Sequence, residues 1–268
     1  MSPRSAADLV VAVVHPDLLG TYGDGGNGIV LSRRAAWRGI GVELVQATSD
    51  RPLPTADLYC LGGGEDGPQV RAAATIREDG TLARAVAQGA VVLGVCAGFQ
   101  LLGRSFPDRS GRPVEGLGLL DVTTAKGTGP RAVGELAAVP LPTGPLPAGV
   151  SAGGRPLPDL TGFENHGGVT TLGADATPLA RVTAGVGNGD GSCTEGVWSE
   201  RIVGTYLHGP VLARNPALAD LLLGWATGTA PEPLDDTEEL ALRTERLAAV
   251  ATGSRRTGRL RFTASRGR

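Results

Sequence analysis

The sequence predicts an α/β fold in which a mainly parallel central sheet is flanked by helices. In the first half of the chain, short apolar runs alternate with segments of helical periodicity. Several of these runs are continuously apolar, which indicates strands covered on both faces, as in a parallel sheet. One such strand leads directly into the motif Gly-x-Cys-x-Gly (residues 94–98), and a helical segment follows. This arrangement is typical of a nucleophile elbow.

Four strands are predicted in the first half, each a short run rich in apolar residues. They are Leu9–Val14, Val42–Ala47, Leu58–Leu61 and Ala90–Val95. Helical periodicity predicts helices after the first, third and fourth strands. These helices are Gly28–Arg38, Ile76–Gln88 and Phe99–Arg104. Glycine-rich loops, Thr21–Asn27 and Gly62–Asp66, follow the first and third strands.

The second half of the chain is less regular, and we expect antiparallel strands there. The predicted strands are Leu117–Thr123, Gly134–Val139 and a hairpin made of Val197–Ser199 and Ile202–Leu207. The stretch Pro140–Asp159 is rich in proline and glycine, which predicts a surface loop. A helix is predicted over Asn215–Thr227.

The chain is expected to form one domain over residues 1–230, a helical extension over 231–252 and a flexible tail over 253–268. Two prolines interrupt the chain just after the first boundary. Within the extension, Leu234–Val250 is amphipathic and begins with acidic residues, which favour a helix N-terminus. The tail is rich in arginine and contains no acid, so we interpret it as solvated, with a binding role as the alternative.

Composition excludes several classes of protein. The 268 residues are 41% hydrophobic but only 4% aromatic, so a sizeable core of Ala, Val and Leu is expected. The net charge of −2 gives no reason to propose a nucleic-acid partner. Three widely spaced cysteines predict neither a disulfide framework nor a zinc site. No run approaches the roughly 20 apolar residues that cross a bilayer, so the expected location is the cytoplasm.

Cys96 is the candidate nucleophile. Its neighbours Gly94 and Gly98 permit a tight, strained turn that presents the thiol at the edge of the sheet. Backbone N–H groups at the same turn can bind a developing oxyanion. A lone cysteine is more often a small buried residue, and Cys60, within a strand, is interpreted in that way. Cys193 lies in a glycine-rich loop.

A thiol nucleophile needs a neighbouring base, and the chain has three histidines. We favour His208, which follows a predicted strand far downstream of the cysteine. The carboxyl ends of strands in open α/β sheets form the edge at which active sites lie. His15 follows the first strand and is also near that edge, whereas His166 is placed in a loop.

Together these features resemble the class I glutamine amidotransferase family. The resemblance extends from about Leu9 to Ala226, and its strongest parts are GVCAGFQLLG (94–103) and TYLHG (205–209). Further segments, in order along the chain, resemble the GatD branch of the CobB/CobQ-like amidotransferases, the glutaminase subunits of lipid II isoglutaminyl synthases. These segments are TYGDGGN (21–27), the helix with Arg33, Arg34 and Arg38, LGGGEDGPQ (61–69), GFENHGG (162–168) and YLHGPVLARNP (206–216). The implied fold is flavodoxin-like.

The resemblance also implies catalytic roles. Cys96 would attack the side-chain amide of glutamine, and His208 would protonate the departing ammonia and then activate water. The amides of Gly62 or Gly63, together with the Ala97 amide, would form the oxyanion hole.

Two substrate contacts follow from the same resemblance. Gln100 lies one helical turn after the nucleophile and would contact bound glutamine. Arg131 matches a substrate-binding arginine of this branch and would pair with the α-carboxylate, a task suited to a bidentate guanidinium. The alternative for Arg131 is an ordinary surface arginine.

The sequence departs from the family at the residue that orients the histidine. Most class I members carry His-x-Glu, but here His208 is followed by Gly209 and Pro210. Three alternatives remain at this stage. The pair works without a third group, Glu164 supplies the acid, or a partner subunit supplies an aspartate, as the resemblance implies.

The sequence lacks a phosphate-binding GxxxxGK[ST] loop, so no cofactor is expected in this chain. ATP and Mg are expected in a partner, a MurT-like subunit of the Mur ligase family with which the chain would form a heterodimer. By resemblance, the partner activates the D-glutamate α-carboxylate of the lipid II stem peptide, and ammonia converts it to D-isoglutamine for peptidoglycan synthesis. The chain would then reach the inner face of the membrane through its partner or lipid II.

Three other functions are alternatives for this sequence. An amidotransferase of the cobyric or cobyrinic acid synthase type resembles the segments around His166 and His208, but it normally carries a synthetase domain on the same chain. A non-catalytic regulatory subunit on the same fold is supported only by the missing acid after His208. A stand-alone cysteine hydrolase of γ-glutamyl substrates would need no partner.

Overall fold

The structure is a computed structural model that describes residues 7–141, 157–248 and 250. Its strands are β1 (Leu9–Val14), β2 (Val42–Ala47), β3 (Leu58–Leu61), β4 (Val91–Val95), β5 (Ser105–Pro107), β6 (Pro113–Glu115), β7 (Val122–Lys126), β8 (Ala132–Pro140), β9 (Leu160–His166), β10 (Gly168–Leu172), β11 (Ala180–Ala184), β12 (Thr194–Glu195), β13 (Val197–Ser199) and β14 (Ile202–Thr205). Its helices are α1 (Gly26–Ala36), α2 (Asp66–Asp79), α3 (Thr81–Ala87), α4 (Ala97–Leu102), α5 (Val211–Arg214) and α6 (Pro216–Thr227). Residues 237–248 are also helical.

The central sheet has six strands in the order β13-β14-β4-β3-β1-β2. Five of these strands are parallel, and β13 pairs with β14 as an antiparallel edge strand. Every residue of β3, β4 and β14 is buried, because helices and loops cover both faces of the sheet. The predicted α/β class and parallel sheet are therefore confirmed.

Two four-stranded sheets, β10-β7-β5-β6 and β12-β11-β8-β9, are built from strands between Ser105 and Glu195. They contribute the wall of the site described below. The segment Gly162–Gly168 was predicted as a loop, but most of it is β9, so the predicted loop position of His166 is wrong. Pairing with β8 along seven residues explains the difference, since such long-range pairing leaves no local signal.

Two predicted elements differ in position. The helix expected over Ile76–Gln88 is divided at Gly80, whose left-handed backbone (φ 67°) ends α2 and begins α3. The strand expected from Leu117 begins only at Val122. The N–H groups of Leu117 and Leu119 instead bond to carbonyls at the end of α4, at 2.8 and 2.9 Å.

The C-terminal segment packs against the main body through a buried ion cluster. The guanidinium of Arg34 in α1 bonds to Asp220 in α6 and to Asp236 at 2.6–3.0 Å. Arg38 adds a bond to Asp220 at 2.8 Å. The helical extension thus starts from a fixed point on α1. The predicted domain boundary at residue 230 stays a prediction. Most of the predicted loop Pro140–Asp159 (142–156) and the tail 253–268 lie outside the described residues. No helix within the described ranges is long and apolar enough to span a bilayer.

Candidate active site

Cys96 lies at the carboxyl end of β4, directly before α4. Its backbone has φ 52° and ψ −106°, a conformation that a non-glycine residue adopts only when its surroundings hold it there. The Cys96 N–H donates to the carbonyl of Thr205 in the neighbouring strand at 2.8 Å. A Cβ atom on Gly98 would lie 2.4 Å from the Leu61 carbonyl, so only glycine permits this packing of α4 on the sheet. The thiol is thereby presented at the edge where active sites form.

His208 follows β14 and faces this thiol. Its backbone N–H and C=O bond to Phe163 in β9 at 2.8 and 3.0 Å, which fixes the residue between two sheets. Its Nδ1 lies 2.9 Å from Oδ2 of Asp24. Burial opposes a charged ring, but the hydrogen bond to Asp24 and the neighbouring Cys96 thiol prevail and raise the pKa of His208 to about 10. Asp24 and Cys96 therefore both favour the protonated form of the His208 ring.

Asp24 is a residue that the sequence analysis did not identify. It lies in the loop after β1, is 2% exposed, and its Oδ2 accepts bonds from His208 and from the Gly63 N–H at 2.9 Å. Tyr22 of the same loop packs on the imidazole, with ring centroids 4.8 Å apart. The sequence did contain one signal for Asp24. It is an acid in a glycine-rich loop that follows a parallel strand, and this strand ends at the same sheet edge as Cys96.

Glu164, which was considered as the internal acid, does not fill this place. Its two carboxylate oxygens accept the N–H groups of Val186 at 2.8 Å and Gly187 at 3.0 Å. One oxygen also lies 3.5 Å from Nε2 of His166. The carboxylate is committed to a turn beside β9, so that interpretation is wrong.

The other two histidines have different surroundings. His15 lies at the end of β1 with φ 44°, and burial lowers its pKa. Neither ring nitrogen of His15 has a hydrogen-bond partner among the described residues. His166 stacks on Tyr206 with ring centroids 3.8 Å apart, and its Nδ1 lies 3.0 Å from the Gly168 carbonyl. Of the three histidines, His208 is the one that joins the thiol and a carboxylate.

Cys96 lines a cavity of about 220 Å³ whose wall carries charges of both signs. The charged side chains in its lining are Asp66, Asp108, Lys126 and Arg131. Such a lining suits a small zwitterion, which offers a carboxylate and an ammonium group together. Within the described ranges, no cluster of three or more His, Cys, Asp or Glu side chains is arranged to hold a metal ion.

Arg131 lies at this cavity and is connected to the nucleophile through Asn165. Its Nε donates to the Asn165 side-chain oxygen at 2.5 Å, and its Nη2 donates to the Asn165 carbonyl at 2.9 Å. The same carbonyl lies 3.9 Å from Sγ of Cys96. Nη2 also lies 3.4 Å from the Tyr22 hydroxyl. The guanidinium is thus held near the thiol instead of extending freely into solvent.

The structure gives a different outcome for each of the predicted oxyanion donors. The Gly63 N–H donates to Asp24, and this alternative is therefore wrong. The Gly62 carbonyl accepts the Gly98 N–H at 3.0 Å, and a donor role for the Gly62 N–H stays a prediction. Ala97 and Gly64 line the cavity, and Ala97 opens α4, where the first N–H groups have no partner within the helix.

Gln100 also lines the cavity, but its side chain is largely engaged within the protein. Its Oε1 accepts a bond from Gln69 at 2.9 Å, and its Nε2 donates to the Tyr206 hydroxyl at 3.2 Å. A contact between Gln100 and a substrate stays a prediction.

Comparison with known proteins extends this description. The model of the CobB/CobQ-like glutamine amidotransferase domain matches residues 10–216. A Staphylococcus aureus relative, lipid II isoglutaminyl synthase (glutamine-hydrolyzing) subunit GatD, is 35% identical over 77% of this chain and 79% of its own length. The subunit of the same name from Streptococcus pneumoniae is 33% identical over 79% and 77%.

More distant matches share part of the chain or the fold alone. Cobyric acid synthase of Pelotomaculum thermopropionicum is 35% identical over 69% of this chain, which corresponds to only 35% of that protein. Among solved structures, PurLQS from Thermotoga maritima superposes with a TM-score of 0.55 at 18% identity, over 81% of this chain and 97% of that one. That likeness concerns the fold.

Proposed function

This chain belongs to the CobB/CobQ-like glutamine amidotransferase family, and we propose that it is the glutamine-hydrolysing subunit of a lipid II isoglutaminyl synthase. The single observation that carries the hydrolytic role is the arrangement of Cys96, His208 and Asp24 beside a cavity of amino-acid size. Coverage of more than three-quarters of both GatD relatives supports the choice of complex. The cobyric acid synthase relative is about three times longer than the matched part.

In the proposed reaction, the Cys96 thiol gives its proton to His208, and its sulfur attacks the side-chain amide carbon of glutamine. The resulting oxyanion is bound by the Ala97 N–H, with the N–H of Gly62 or of Gly64, which lines the cavity, as the second donor. His208 gives its proton to the nitrogen as the C–N bond breaks, which releases ammonia and leaves a thioester. His208 then takes a proton from water, whose oxygen attacks the thioester, and glutamate leaves as the thiol is restored.

Asp24 has an orienting role in this scheme. Its bond to Nδ1 leaves the opposite nitrogen, Nε2, to exchange protons with the thiol and the substrate. A buried carboxylate also stabilises the imidazolium that is needed when ammonia leaves. We therefore propose that the third group is internal and that no acid comes from a partner.

Arg131 is proposed to bind the α-carboxylate of glutamine. Replacing it with lysine keeps the charge but removes the planar pair of donors. We expect Arg131→Lys to raise the KM for glutamine by roughly 10- to 100-fold, with kcat changed much less, because one bidentate contact is worth a few kcal/mol at most. Steady-state kinetics would measure both constants.

The matched control is Arg104→Lys, since Arg104 is an exposed arginine paired with Asp121 at 3.0 Å outside the cavity. This variant should keep the parental KM. An unchanged KM in Arg131→Lys would instead make Arg131 a surface residue without a role in binding.

We further propose that the ammonia is used by a Mur-ligase-like partner. The names of both GatD relatives describe a subunit, which supports a complex. In this proposal the partner holds ATP and Mg, and this chain needs no cofactor. The acceptor is the D-glutamate α-carboxylate of the lipid II stem peptide. A location at the inner face of the membrane, reached through the partner, is part of the same proposal.

The proposed acceptor can be tested by tracing the side-chain amide nitrogen of glutamine into the product. Glutamine labelled with ¹⁵N in its side-chain amide is supplied to the chain with the Mur-ligase-like partner, ATP, Mg²⁺ and lipid II. We expect labelled D-isoglutamine in the stem peptide by mass spectrometry, and none when this chain is omitted. Labelled ammonia without labelled lipid II would retain the hydrolase and reject this acceptor; transfer to a corrinoid would favour the cobyric acid synthase type.

A further inference from the structure

A buried carboxylate, Glu195, lies behind the active site and is not used by the proposed chemistry. It belongs to β12, a two-residue strand paired with β11, and its exposed fraction is 0%. Buried carboxylates are rare unless they are paired, because removal from water penalises the charge. Within the described residues, its Oε2 has no hydrogen-bond partner. The position of such a group therefore calls for an explanation.

Within the described residues, the side-chain hydrogen bonds of Glu195 go to the segment that carries His208. Its Oε1 accepts the hydroxyl of Thr205 at 2.5 Å and the N–H of Tyr206 at 2.9 Å. The Thr205 hydroxyl oxygen accepts in turn the N–H of Leu207 at 3.0 Å. One carboxylate oxygen thus holds three successive residues between the end of β14 and His208.

The same segment positions the nucleophile. The Thr205 carbonyl accepts the Cys96 N–H at 2.8 Å, and Tyr206 bonds through its hydroxyl to Gln100 in the cavity wall. A shift of this segment would move the base and the backbone of the elbow together. A misplacement of about 1 Å can cost on the order of 100-fold in rate.

We propose that Glu195 is a positioning residue which, in its ionised form, clamps residues 205–207 and so sets His208 against Cys96. The inference rests on the proposed hydrolytic function. Hydrogen bonds to an ionised acceptor are shorter and about twice as strong as neutral ones, so protonation loosens the clamp. The clamp is therefore a pH-dependent element of the site.

The groups around Glu195 determine the pH at which its carboxyl group ionises. Burial raises its pKa to about 7, while the bonds from Thr205 and Tyr206 and the charge of His166 lower it, and the charge of Glu164 raises it. The folded chain consequently holds this proton at a pH at which the unfolded chain, with a pKa of 4.5, has released it. Its contribution to stability is present below pH 4.5 and is lost as pH rises through about 7.

Activity and stability should therefore respond to Glu195→Gln in opposite directions. At pH 8 we expect kcat for glutamine hydrolysis by the full chain, assayed with its ligase partner, to fall by roughly 10- to 100-fold with KM little changed. In the same buffer, the melting temperature of the variant relative to the parent should rise between pH 5.5 and 8, because a buried charge has been removed. The ionisation near pH 7 should disappear from the kcat profile.

Two further variants complete the test. Thr205→Val removes the linking hydroxyl at nearly constant volume and should also lower kcat. Glu164→Gln keeps the clamp but removes a like charge, so it should move the ionisation to lower pH. If the parent hydrolyses glutamine and Glu195→Gln keeps its kcat and pH profile, the clamp is refuted and the hydrolase stands. A parent that hydrolyses no glutamine, with or without the partner, refutes the proposed function and with it the clamp.

Discussion

Replacing Cys96 with alanine is expected to remove glutamine hydrolysis, lowering kcat by at least about 10⁴-fold, because no other group at the cavity can form the thioester. The side chain is small and 5% exposed, so its loss should leave the fold intact. Ammonia release from glutamine, measured with a coupled glutamate dehydrogenase assay, is the direct readout. Binding of glutamine, measured by calorimetry, should persist.

The chain offers its own control for this experiment. Cys193 is an exposed free cysteine in a turn away from the cavity, and Cys193→Ala should retain parental activity. The third cysteine, Cys60, is a buried core residue whose pKa is raised to about 12 by burial, so it cannot replace the nucleophile. Substantial hydrolysis by Cys96→Ala would overturn the proposed mechanism.

Replacing Asp24 with asparagine should lower kcat by roughly 10²- to 10⁴-fold, because the neutral amide no longer stabilises the imidazolium that gives its proton to the leaving ammonia. Asparagine has nearly the same shape and retains an oxygen that can accept the Gly63 N–H. We therefore expect KM to change little. The kcat of the variant should be measured both for the isolated chain and for the complex with the ligase partner.

Stability against pH gives this prediction a second readout. The folded chain keeps the His208 proton up to a pKa of about 10, whereas the unfolded chain releases it near 6.5. The Asp24–His208 pair thus stabilises the fold fully below pH 6.5, and this contribution is lost as pH rises through 10. The difference in melting temperature between the parent and Asp24→Asn should shrink over that interval.

The matched control is Asp17→Asn. Asp17 lies in the same chain segment after β1, but its carboxylate bonds to Ser49 at the surface. This variant should keep parental kcat. Full activity of Asp24→Asn in the complex, combined with loss in the isolated chain, would mean that a partner supplies the orienting acid after all.

Much of the fold follows from local patterns in the sequence. Short apolar runs predicted β1 to β4 and their parallel pairing, since strands covered on both faces need no polar side chains. The hairpin of β13 and β14 was likewise predicted from its pattern. The cross-strand partners of β9 and the division of α2 from α3 at Gly80 could not be located in this way, because they depend on distant pairing and on one backbone torsion.

In the candidate site, too, the local features could be predicted from the sequence and the distant contacts could not. The sequence by itself determined the elbow, because glycines on both sides of Cys96 and a buried strand before it leave few conformations for the turn. It also selected His208, since a strand leads directly to that residue. These inferences concern neighbours in the chain and the edge of one sheet.

Only the tertiary structure decided which groups complete the site. Asp24 lies 184 residues from His208 in sequence, and Glu195 lies outside every motif that the sequence analysis singled out. No periodicity or spacing links such residues, because their proximity results from the packing of loops at the sheet edge. The strength of their interactions comes from burial, which is a property of the folded molecule and not of any short segment.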